Sequence, residues 1–423
     1  MQAISCRAVL VSAIASNQGK TLCTAALARA WRNRGLKVQC FKAGPDFLDP
    51  MILAVASGNP VYNLDLGMCG LEDGISQLYK AAQTADVMII EGVMGLYDGV
   101  PSSADLAIAF NLPVLVTIDA SAMAQTFSAV ASGLLAYNPA IKAAGVIANK
   151  LGSVGHGKLL QEALPPHLTW FGALLKDQAF ALPERHLGLH RAAEIEDLEA
   201  KIEAAAKALG DSGDLPLPPL AHFNPPVQTT LPQLLAGKTI AIARDEAFCF
   251  IYPANIDCLI AMGASLQYFS PLHDEVIPQA DAIWLPGGYP ELHLAKISQN
   301  SAMQYALQQA ANHRMPILAE CGGMMALSSQ INGENGFDLL PSTSQLTTNL
   351  QGIGTQQLTL NGNQINAHTF HYGVFETTLT PTATATAQYG QGEAVYQHGS
   401  ITASFLHFYF PSNLTATAAL FLS

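Results

Sequence analysis

The sequence predicts an α/β protein built from two domains. Uninterrupted apolar strand candidates alternate with helical stretches through residues 1–175, a pattern typical of a doubly wound parallel sheet whose strands are covered on both faces. A second series of such strands begins near residue 238, after a stretch rich in proline and glycine. The chain has 423 residues, which at about 100 to 200 residues per domain is enough for two such units.

The elements follow in order along the chain. The strand candidates of the first domain are AVLVSAIA, KVQCFKA, DVMIIEG, PVLVTIDA, AAGVIANK and WFGALL. A charged helical segment is predicted at 191–209, and proline and glycine predict a linker at 210–237. The second domain, 238–423, continues with TIAIARDEAF, SLQYFS, DAIWLPGG and PILAECGG, and its part from about 345 to 410 predicts further strands. We therefore predict a first domain at 1–209 and a second at 238–423.

The amino-acid composition argues against several classes of protein. Half of the residues are hydrophobic, but no apolar run reaches the length of about 18 residues that crosses a bilayer. The seven cysteines form no CxxC pair and the N-terminus is better explained as a core strand than as an export signal, so a cytoplasmic protein with no membrane contact is predicted. The formal net charge of −12 argues against a general nucleic-acid binder.

A phosphate-binding loop is predicted after the first strand. Gly19, Lys20 and Thr21 stand between a strand and a helix, where backbone N–H groups cradle phosphate, a lysine neutralises it and a threonine hydroxyl binds Mg²⁺. The strict motif requires a glycine where this chain has Ile14, and the alternative is an ordinary turn that begins a helix. Nucleotide binding is assigned to Asn17, Gln18, Gly19, Lys20 and Thr21.

Two other strand ends supply groups that suit a magnesium nucleotide. Glu91 ends the strand DVMIIE, at the edge where open α/β sheets bind ligands, and a carboxylate there can hold the magnesium that bridges nucleotide phosphates. CFKAGPDFLDP brings Lys42, Asp46 and Asp49 to a second strand end. The alternative for these aspartates is ordinary turn chemistry. We predict Thr21, Asp46 and Glu91 as the metal ligands.

A charged loop at residues 182–189, LPERHLGL, gathers Glu184, Arg185 and His186. An arginine there can clamp a carboxylate or stabilise a transferring phosphoryl group, and the alternative is a structural ion pair. We assign Lys42, Asp46 and Arg185 to the substrate or to the transferring phosphoryl group.

A nucleophile is predicted in MPILAECGGMMAL, residues 315–327. The apolar run, Cys321 and the two glycines after it indicate a strand, a sharp turn and a helix, the geometry of a nucleophile elbow. The alternative is a buried core thiol, because cysteine is among the most buried residue types.

Together these motifs resemble those of one family, the cobyrinic acid a,c-diamide synthases of cobalamin biosynthesis, which include the hydrogenobyrinic acid enzymes. The similar phrases, in the family's order, are FKAGPDFLDP, EGVMGLYDG, IDASAMAQT, LPERHLGL, ARDEAFCF, FSPLHDE, GGYPE and AECGGMMAL. The resemblance covers about residues 5–415. It implies a P-loop-type doubly wound domain followed by a class I glutamine amidotransferase-like α/β domain.

The resemblance implies an amidoligase that uses ATP, Mg²⁺ and glutamine. The first domain would phosphorylate the c and then the a side-chain carboxylate of the corrin, and ammonia from glutamine would displace the phosphate. Such activation is needed because hydroxide is a poor leaving group. The expected partners are small molecules, with a homodimer as the candidate assembly. Alternatives are hydrogenobyrinic acid or another tetrapyrrole as substrate, an inactive glutaminase, and a partitioning ATPase.

In the glutaminase that this resemblance implies, Cys321 attacks the glutamine amide and His407, in ITASFLHFYF, is the base. His368 and His371 of AHTFHYG are rival bases. Class I enzymes usually carry a glutamate two residues after the histidine, but this chain has Tyr409 there.

Backbone amides complete the expected site. Gly287 and Gly288 of IWLPGGYPE, together with the amide of Gly322, are expected to form the oxyanion hole. In the first domain, VIANKLG puts Asn149 at a strand end, where its amide would read the adenine edge; a plain turn is the alternative.

Overall fold

The computed structural model describes residues 2–182, 192–227, 231–388 and 390–422. The chain folds into two compact units. The first comprises Met1–Leu66 and Gly70–Gln228, and the second comprises Gly67–Cys69 and Thr229–Ser423. In the described part of the chain, every helix is too short or too polar to cross a membrane.

The first unit is built on an eight-stranded sheet. Its strands are β1 (Ile4–Ala13), β2 (Val38–Ala43), β3 (Tyr62–Leu64), β4 (Val87–Glu91), β5 (Val114–Asp119), β6 (Ala143–Leu151), β7 (Thr169–Leu175) and β8 (Leu220–Phe223). Its helices are α1 (Lys20–Asn33), α2 (Leu48–Ser57), α3 (Leu71–Ala82), α4 (Ser103–Ala109), α5 (Thr126–Ala136), α6 (Val154–Glu162) and α7 (Leu198–Asp211). Gln178–Phe180 and Ala192–Glu194 form single 3₁₀ turns.

The predicted doubly wound parallel sheet is confirmed. Strands β3, β2, β4, β1, β5, β6 and β7 lie side by side in that order and run parallel. Neighbouring residues of β1 contribute to different cores: Leu10 packs into one, and Val9 and Val11 pack into the other. Because both faces of the sheet are covered, its strands are continuously apolar rather than alternating.

Two expectations near the end of this unit need correction. The helix predicted at 191–209 begins at Leu198, because Asp197 has a left-handed backbone (φ 54°) through which an α-helix does not continue. The segment predicted as a linker, 210–237, contains β8, which pairs antiparallel with the start of β1 and places Phe223 opposite Ile4. Four residues between prolines are too few for a strand pattern to show in the sequence.

The second unit has more strands than helices. Its strands are β9 (Thr239–Ala243), β10 (Ser265–Phe269), β11 (Ala282–Leu285), β12 (Ile317–Glu320), β13 (Ser328–Ile331), β14 (Glu334–Asn335), β15 (Leu340–Leu346), β16 (Gly352–Leu360), β17 (Asn363–His371), β18 (Gly373–Thr377), β19 (Ala383–Thr384), β20 (Thr386–Ala387), β21 (Ala394–His398), β22 (Ile401–Ser404) and β23 (His407–Phe408). Its helices are α8 (Pro253–Ala261), α9 (Leu294–Gln299), α10 (Ser301–Asn312), α11 (Gly322–Ala326) and α12 (Leu414–Phe421). Pro290–Leu292 and Phe410–Ser412 are 3₁₀ turns.

The central sheet of this unit has the order β10, β9, β11, β12, β22, β21 and β19. Its first five strands are parallel, and β21 and β19 extend it antiparallel. Two smaller sheets have the orders β14-β13-β15-β18 and β20-β16-β17-β23. Strands β16 to β23 all lie between Gly352 and Phe408, which confirms that the part beyond residue 345 is rich in strands. The α/β rhythm predicted for the second domain is therefore correct.

Candidate active sites

The phosphate loop of the first unit runs from Ala13, the last residue of β1, to Lys20, the first residue of α1. Gly19 has a left-handed backbone (φ 83°), and a Cβ atom at this position would overlap Nδ2 of Asn149. The loop therefore needs glycine both for its conformation and for space. The first amides of a helix have no intrahelical acceptor, so the start of α1 is a suitable place for a phosphate.

Two neighbouring strand ends hold this loop in place. Asn149, at the end of β6, donates from Nδ2 to the Gln18 carbonyl at 3.0 Å and is buried. Lys150 donates to the Asn17 carbonyl at 3.3 Å and forms an ion pair of 2.9 Å with Asp119. The side chain that the sequence predicted to read adenine thus supports the loop backbone.

Lys20 is directed into the loop rather than into solvent. Its ammonium donates to the Met94 carbonyl at 2.5 Å and the Ala15 carbonyl at 3.3 Å. Burial, followed by the charge of Lys42, lowers the pKa of Lys20, and nearby carboxylates oppose this. A phosphate would offer this partly desolvated cation an anionic partner in place of the two neutral carbonyls.

A buried charge cluster lies beside the loop. Thr21 Oγ1 is 2.7 Å from Glu91 Oε1 and 3.1 Å from Asp49 Oδ1. Lys42 Nζ is 2.9 Å from Asp49 Oδ2 and 3.1 Å from Glu91 Oε1. Lys42, Asp49 and Glu91 are all buried. The ends of β2 and β4 therefore bring Lys42 and Glu91 together beside Thr21.

The charges of this cluster leave room for a cation. Burial and then Asp49 raise the pKa of Glu91 to about 7, against the effect of Lys42. Burial would lower the pKa of Lys42, but Asp49 and Glu91 outweigh it and raise that pKa. Two carboxylates and one ammonium leave one net negative charge when all are ionised. Glu91 Oε2, although buried, has no hydrogen-bond partner in the described part of the chain, so it is available to a metal ion.

The set of donors fits magnesium. Within the described residues, no group of three His, Cys, Asp or Glu side chains is arranged around a metal position. Magnesium does not need one, because it is usually held by one or two carboxylates together with substrate phosphates and water. A hydroxyl from Thr21 and the oxygens of Glu91 and Asp49 are ligands of that kind.

The two aspartates of the loop after β2 have different positions. Asp46 accepts from the Leu48 amide at 2.8 Å and from the Asp49 amide at 3.4 Å, so it caps the start of α2. Asp49, in the first turn of α2, is the aspartate that reaches Thr21 and Lys42. The signal that could have separated them is spacing, since an aspartate two or three residues before free helix amides commonly binds those amides.

In the second unit, Cys321 occupies a sharp turn between β12 and α11. Its backbone is strained, with φ 47° and ψ −109°, and its amide donates to the Ser404 carbonyl at 2.7 Å. Strain of this kind persists where the surrounding structure imposes it, and it is common at active sites. The strand, turn and helix have the arrangement that the sequence predicted for an elbow.

Glycines allow the loop after β11 to lie directly against this turn. A Cβ atom on Gly287 would lie 3.3 Å from Cys321 Cβ and would overlap the ring of His407 at Cε1. One on Gly322 would come within 2.8 Å of the Gly288 carbonyl oxygen, and one on Gly288 would overlap the Ala247 carbonyl. The predicted thiol, base and oxyanion glycines are therefore brought together by backbone approaches that no larger residue allows.

Burial favours the uncharged forms of both Cys321 and His407. Burial raises the pKa of Cys321, and the charge of Glu291 adds to this, whereas a hydrogen bond from the Gly322 amide opposes it. Burial, followed by the charges of His368 and His371, lowers the pKa of His407 well below its usual value. The resting pair is thus a thiol beside a neutral imidazole, and a neutral imidazole can accept a proton.

The rival histidines have other surroundings. His368 lies opposite His407 on β17, with its ring centroid 6.4 Å away, and burial lowers its pKa to about 3. His371 lies 2.8 Å from the Gly373 carbonyl and 2.9 Å from Glu393, and its ring stacks on Phe405 at 3.6 Å. Of the three, His407 is the histidine whose ring borders Gly287.

The chain neighbours of the pair have structural contacts of their own. Glu320 accepts from Trp284 Nε1 at 2.9 Å and from the Phe408 amide at 2.8 Å, so both of its oxygens are used there. Tyr409 is buried, with its ring packed edge-on against Tyr252. Both side chains are therefore held in the interior of the second unit.

Comparison with known proteins gives each unit a counterpart. Residues 9–189 match the CobQ/CobB/MinD/ParA nucleotide binding domain, and residues 239–414 match the CobB/CobQ-like glutamine amidotransferase domain. The chain is 48% identical to hydrogenobyrinate a,c-diamide synthase of Stutzerimonas stutzeri, covering 99% of each chain. It is 46% identical to the enzyme of that name from Pseudomonas aeruginosa (98% of this chain, 97% of the other) and to cobyrinate a,c-diamide synthase of Herminiimonas arsenicoxydans (99% and 97%). The chain belongs to the cobyrinate and hydrogenobyrinate a,c-diamide synthase family.

As a member of this family, the chain combines a nucleotide loop and a thiol elbow in one polypeptide. Two features of the sites were not predicted from sequence: the contacts of Asp49 with Thr21 and Lys42, and the position of Glu291 near Cys321. Arg185, together with Glu184 and His186, lies outside the described residues. Its assignment stays a prediction.

The buried Glu320, which precedes Cys321 in the chain, predicts a pH dependence of stability. Burial raises its pKa from 4.5 to about 8, so between these values the folded state holds a proton that the unfolded state has released. The free energy of unfolding should therefore fall as the pH rises between about 5 and 8, by up to about 1.4 kcal/mol per pH unit. In Glu320→Gln this contribution to the slope should vanish. Urea unfolding followed by circular dichroism at a series of pH values measures it.

The matched control is Glu334→Gln, an exposed carboxylate on β14, which should keep the slope of the parent protein. Glu320→Gln should also be less stable at acidic pH, because the amide nitrogen cannot accept a hydrogen bond from Trp284 or Phe408. If the slope were the same in all three proteins, Glu320 would not be the group that titrates.

Proposed function

We propose that this protein amidates the a and c side-chain carboxylates of cobyrinic or hydrogenobyrinic acid, using ATP and ammonia taken from glutamine. The observation that carries the proposal is the full-length similarity to a,c-diamide synthases in a chain that has both a phosphate loop at Lys20 and a thiol elbow at Cys321. A partitioning ATPase would have no use for the second site. Hydrogenobyrinic acid is favoured as a substrate by the relative that is 48% identical.

We assign the synthetase reaction to residues 1–209 and the glutaminase reaction to 238–423; the segment 210–237 includes β8, which pairs with β1 of the first unit. The matched ranges 9–189 and 239–414 support this division. Seven free thiols suit the cytoplasm, where disulfides are rare. A homodimer is proposed as the assembly.

In the synthetase reaction, Lys20 and the amides of the loop from Asn17 to Thr21 bind the ATP phosphates, with Asn149 supporting the loop and facing the nucleotide. Magnesium, when bound, neutralises charge on the phosphates; Thr21 and Glu91 would hold it with Asp49 or Asp46. An oxygen of the corrin carboxylate attacks the γ-phosphorus and ADP leaves. Ammonia then attacks the acyl carbon and inorganic phosphate leaves.

Basic groups would place the substrate carboxylate for this attack. Lys42 belongs to the charge cluster, and its ammonium is already paired with Asp49 and Glu91. We therefore assign it to stabilising the transferring phosphoryl group rather than to binding the substrate carboxylate. Arg185 is proposed as the second cation, because its guanidinium can bind a carboxylate with two hydrogen bonds.

In the glutaminase reaction, Cys321 Sγ attacks the side-chain amide of glutamine while His407 takes the thiol proton. The amides of Gly287, Gly288 and Gly322 stabilise the oxyanion, and one such donor is commonly worth about 100- to 1,000-fold in rate. His407 returns the proton to the leaving ammonia, which leaves a thioester on Cys321. Water hydrolyses the thioester to glutamate with His407 as the base, and the thiol is restored.

The reaction assay tests the whole proposal. The purified protein, given ATP, Mg²⁺, glutamine and either corrinoid acid, should convert the acid into the diamide, which mass spectrometry identifies from the number of amides added. Both acids should be offered in parallel. ATP consumption that does not depend on either corrinoid would contradict the proposed function.

Replacing the nucleophile separates the two half-reactions. Cys321→Ala should lose glutamine hydrolysis and glutamine-dependent amidation, because no thioester can form, yet it should still amidate the corrinoid with free ammonia. The control is Cys258→Ala, a buried cysteine of α8 in the same unit, which should retain both activities. Glutaminase activity that survives in Cys321→Ala would exclude this residue as the nucleophile.

The two aspartates of the substrate loop can be distinguished by their magnesium dependence. Asp49→Asn should raise the Mg²⁺ concentration needed for half-maximal ADP formation by at least about tenfold, because Asp49 contacts Thr21 directly. Asp46→Asn should have a smaller effect, since Asp46 binds backbone amides. Titration of Mg²⁺ at fixed ATP measures both. A larger effect at Asp46 would support the assignment made from the sequence.

A further inference from the structure

A carboxylate lies close to the nucleophile of the second unit without an obvious structural reason. Glu291 belongs to the 3₁₀ turn Pro290–Leu292, which follows the glycine loop. This turn packs on the elbow, because a Cβ atom on Gly322 would approach Pro290 Cδ to 2.8 Å. The Glu291 side chain is partly buried. After burial, its negative charge is the largest cause of the raised pKa of Cys321.

No cation in the described part of the chain neutralises this carboxylate. None of the Lys, Arg or His side chains described there forms an ion pair with Glu291. The nearest lysine in sequence, Lys296 of α9, lies 4.0 Å from Glu246, and His273 is 2.8 Å from that same glutamate. Burial raises the pKa of Glu291 to about 7, and a hydrogen bond from its own amide opposes this. The group is thus held in a position where its charge is costly.

As long as no glutamine is bound, the position of Glu291 disfavours ionisation of the Cys321 thiol. A negative charge near the thiol opposes formation of the thiolate, which is the reactive form of cysteine. This electrostatic cost to thiolate formation is removed if a cation binds to the Glu291 carboxylate and neutralises its charge. Glutamine brings such a cation, because its α-ammonium lies at the opposite end of the side chain from the amide that Cys321 attacks.

We propose that Glu291 binds the α-ammonium of glutamine and thereby lets the substrate remove the repulsion that hinders Cys321. The proposal rests on the glutaminase role proposed above for the second unit. Glu291 would act as a specificity group, because an amide without an α-amino group cannot neutralise it. It would also keep the thiol unreactive until glutamine is bound.

Steady-state kinetics of the full chain test the binding role. Glu291→Gln should raise KM for glutamine by about 10- to 100-fold, the effect of losing a hydrogen bond between charged groups. It should leave kcat/KM unchanged or raised for glutaramate, the analogue that lacks the α-amino group. Preference for glutamine over glutaramate should therefore fall in this variant alone. The matched control is Glu334→Gln, whose carboxylate is exposed on β14.

Alkylation of Cys321 tests the electrostatic role. Without glutamine, iodoacetamide should modify Cys321 several-fold faster in Glu291→Gln than in the parent protein, because removing the negative charge favours the thiolate. Peptide mass spectrometry separates Cys321 from the other six cysteines. Glu334→Gln should react at the parent rate. A residue that only stabilised its turn would not make the thiol more reactive when replaced.

Two variants keep the outcomes distinct. Equal losses for glutamine and glutaramate in Glu291→Gln, or an unchanged alkylation rate, would overturn the proposal. If Glu291→Gln does not fold, Glu291→Asp should keep the preference for glutamine while raising its KM, and loss of that preference would contradict the proposal. Glutaminase activity retained by Cys321→Ala would instead refute the proposed function. If Cys321→Ala has no glutaminase activity but Glu291→Gln has the kinetics and alkylation rate of the parent protein, only this inference is refuted.

Discussion

Parallel strands place their carboxyl ends along one edge of a sheet, and the sites of both units depend on this constraint. In the first unit β1, β2 and β4 are neighbours, so the loop at Lys20 meets Lys42 and Glu91 although they are far apart in sequence. In the second unit β11 and β12 are neighbours, which brings Gly287 to Cys321. Residues distant in sequence can therefore form one site if each lies at the carboxyl end of one of two neighbouring strands. The loops that follow these strands can differ in length and in the side chains they contribute.

The two units treat buried charge in opposite ways. In the first, Lys42 lies within about hydrogen-bond distance of both Asp49 and Glu91, and this pairing offsets part of the cost of desolvation. In the second, Cys321 and His407 remain neutral, since burial disfavours both ionised forms. A paired charge cluster suits the binding of phosphate and metal, where charge must be present from the start. A neutral pair suits a reaction in which charge appears only when the substrate is attacked.

The sequence was sufficient for the fold because uninterrupted apolar runs reveal parallel strands, and its long motifs were sufficient to indicate the family. It was insufficient where several polar residues share one turn. Asp46 and Asp49 are equally plausible ligands in a sequence, and only the start of α2 shows that Asp46 binds amides. β8 was missed because its pairing with β1 depends on residues distant in the chain. The contribution of Glu291 depends on packing of the turn against Gly322, which no local pattern encodes.

Tyr409 stands where related glutaminases usually have an acid, and this changes what the site must do. A phenol cannot stabilise an imidazolium as a carboxylate does, so in the proposed glutaminase reaction a tyrosine at this position makes transfer of the Cys321 proton to His407 less favourable. The remaining contributions are the oxyanion amides, which act as the tetrahedral intermediate forms, and any change in local charge that accompanies substrate binding. A site with a weak base gains most from a substrate whose own charge, once bound, makes the thiolate easier to form. In the proposed reaction, a phenol at position 409 and a carboxylate near Cys321 are two aspects of one arrangement, in which bound glutamine completes the site that cleaves it.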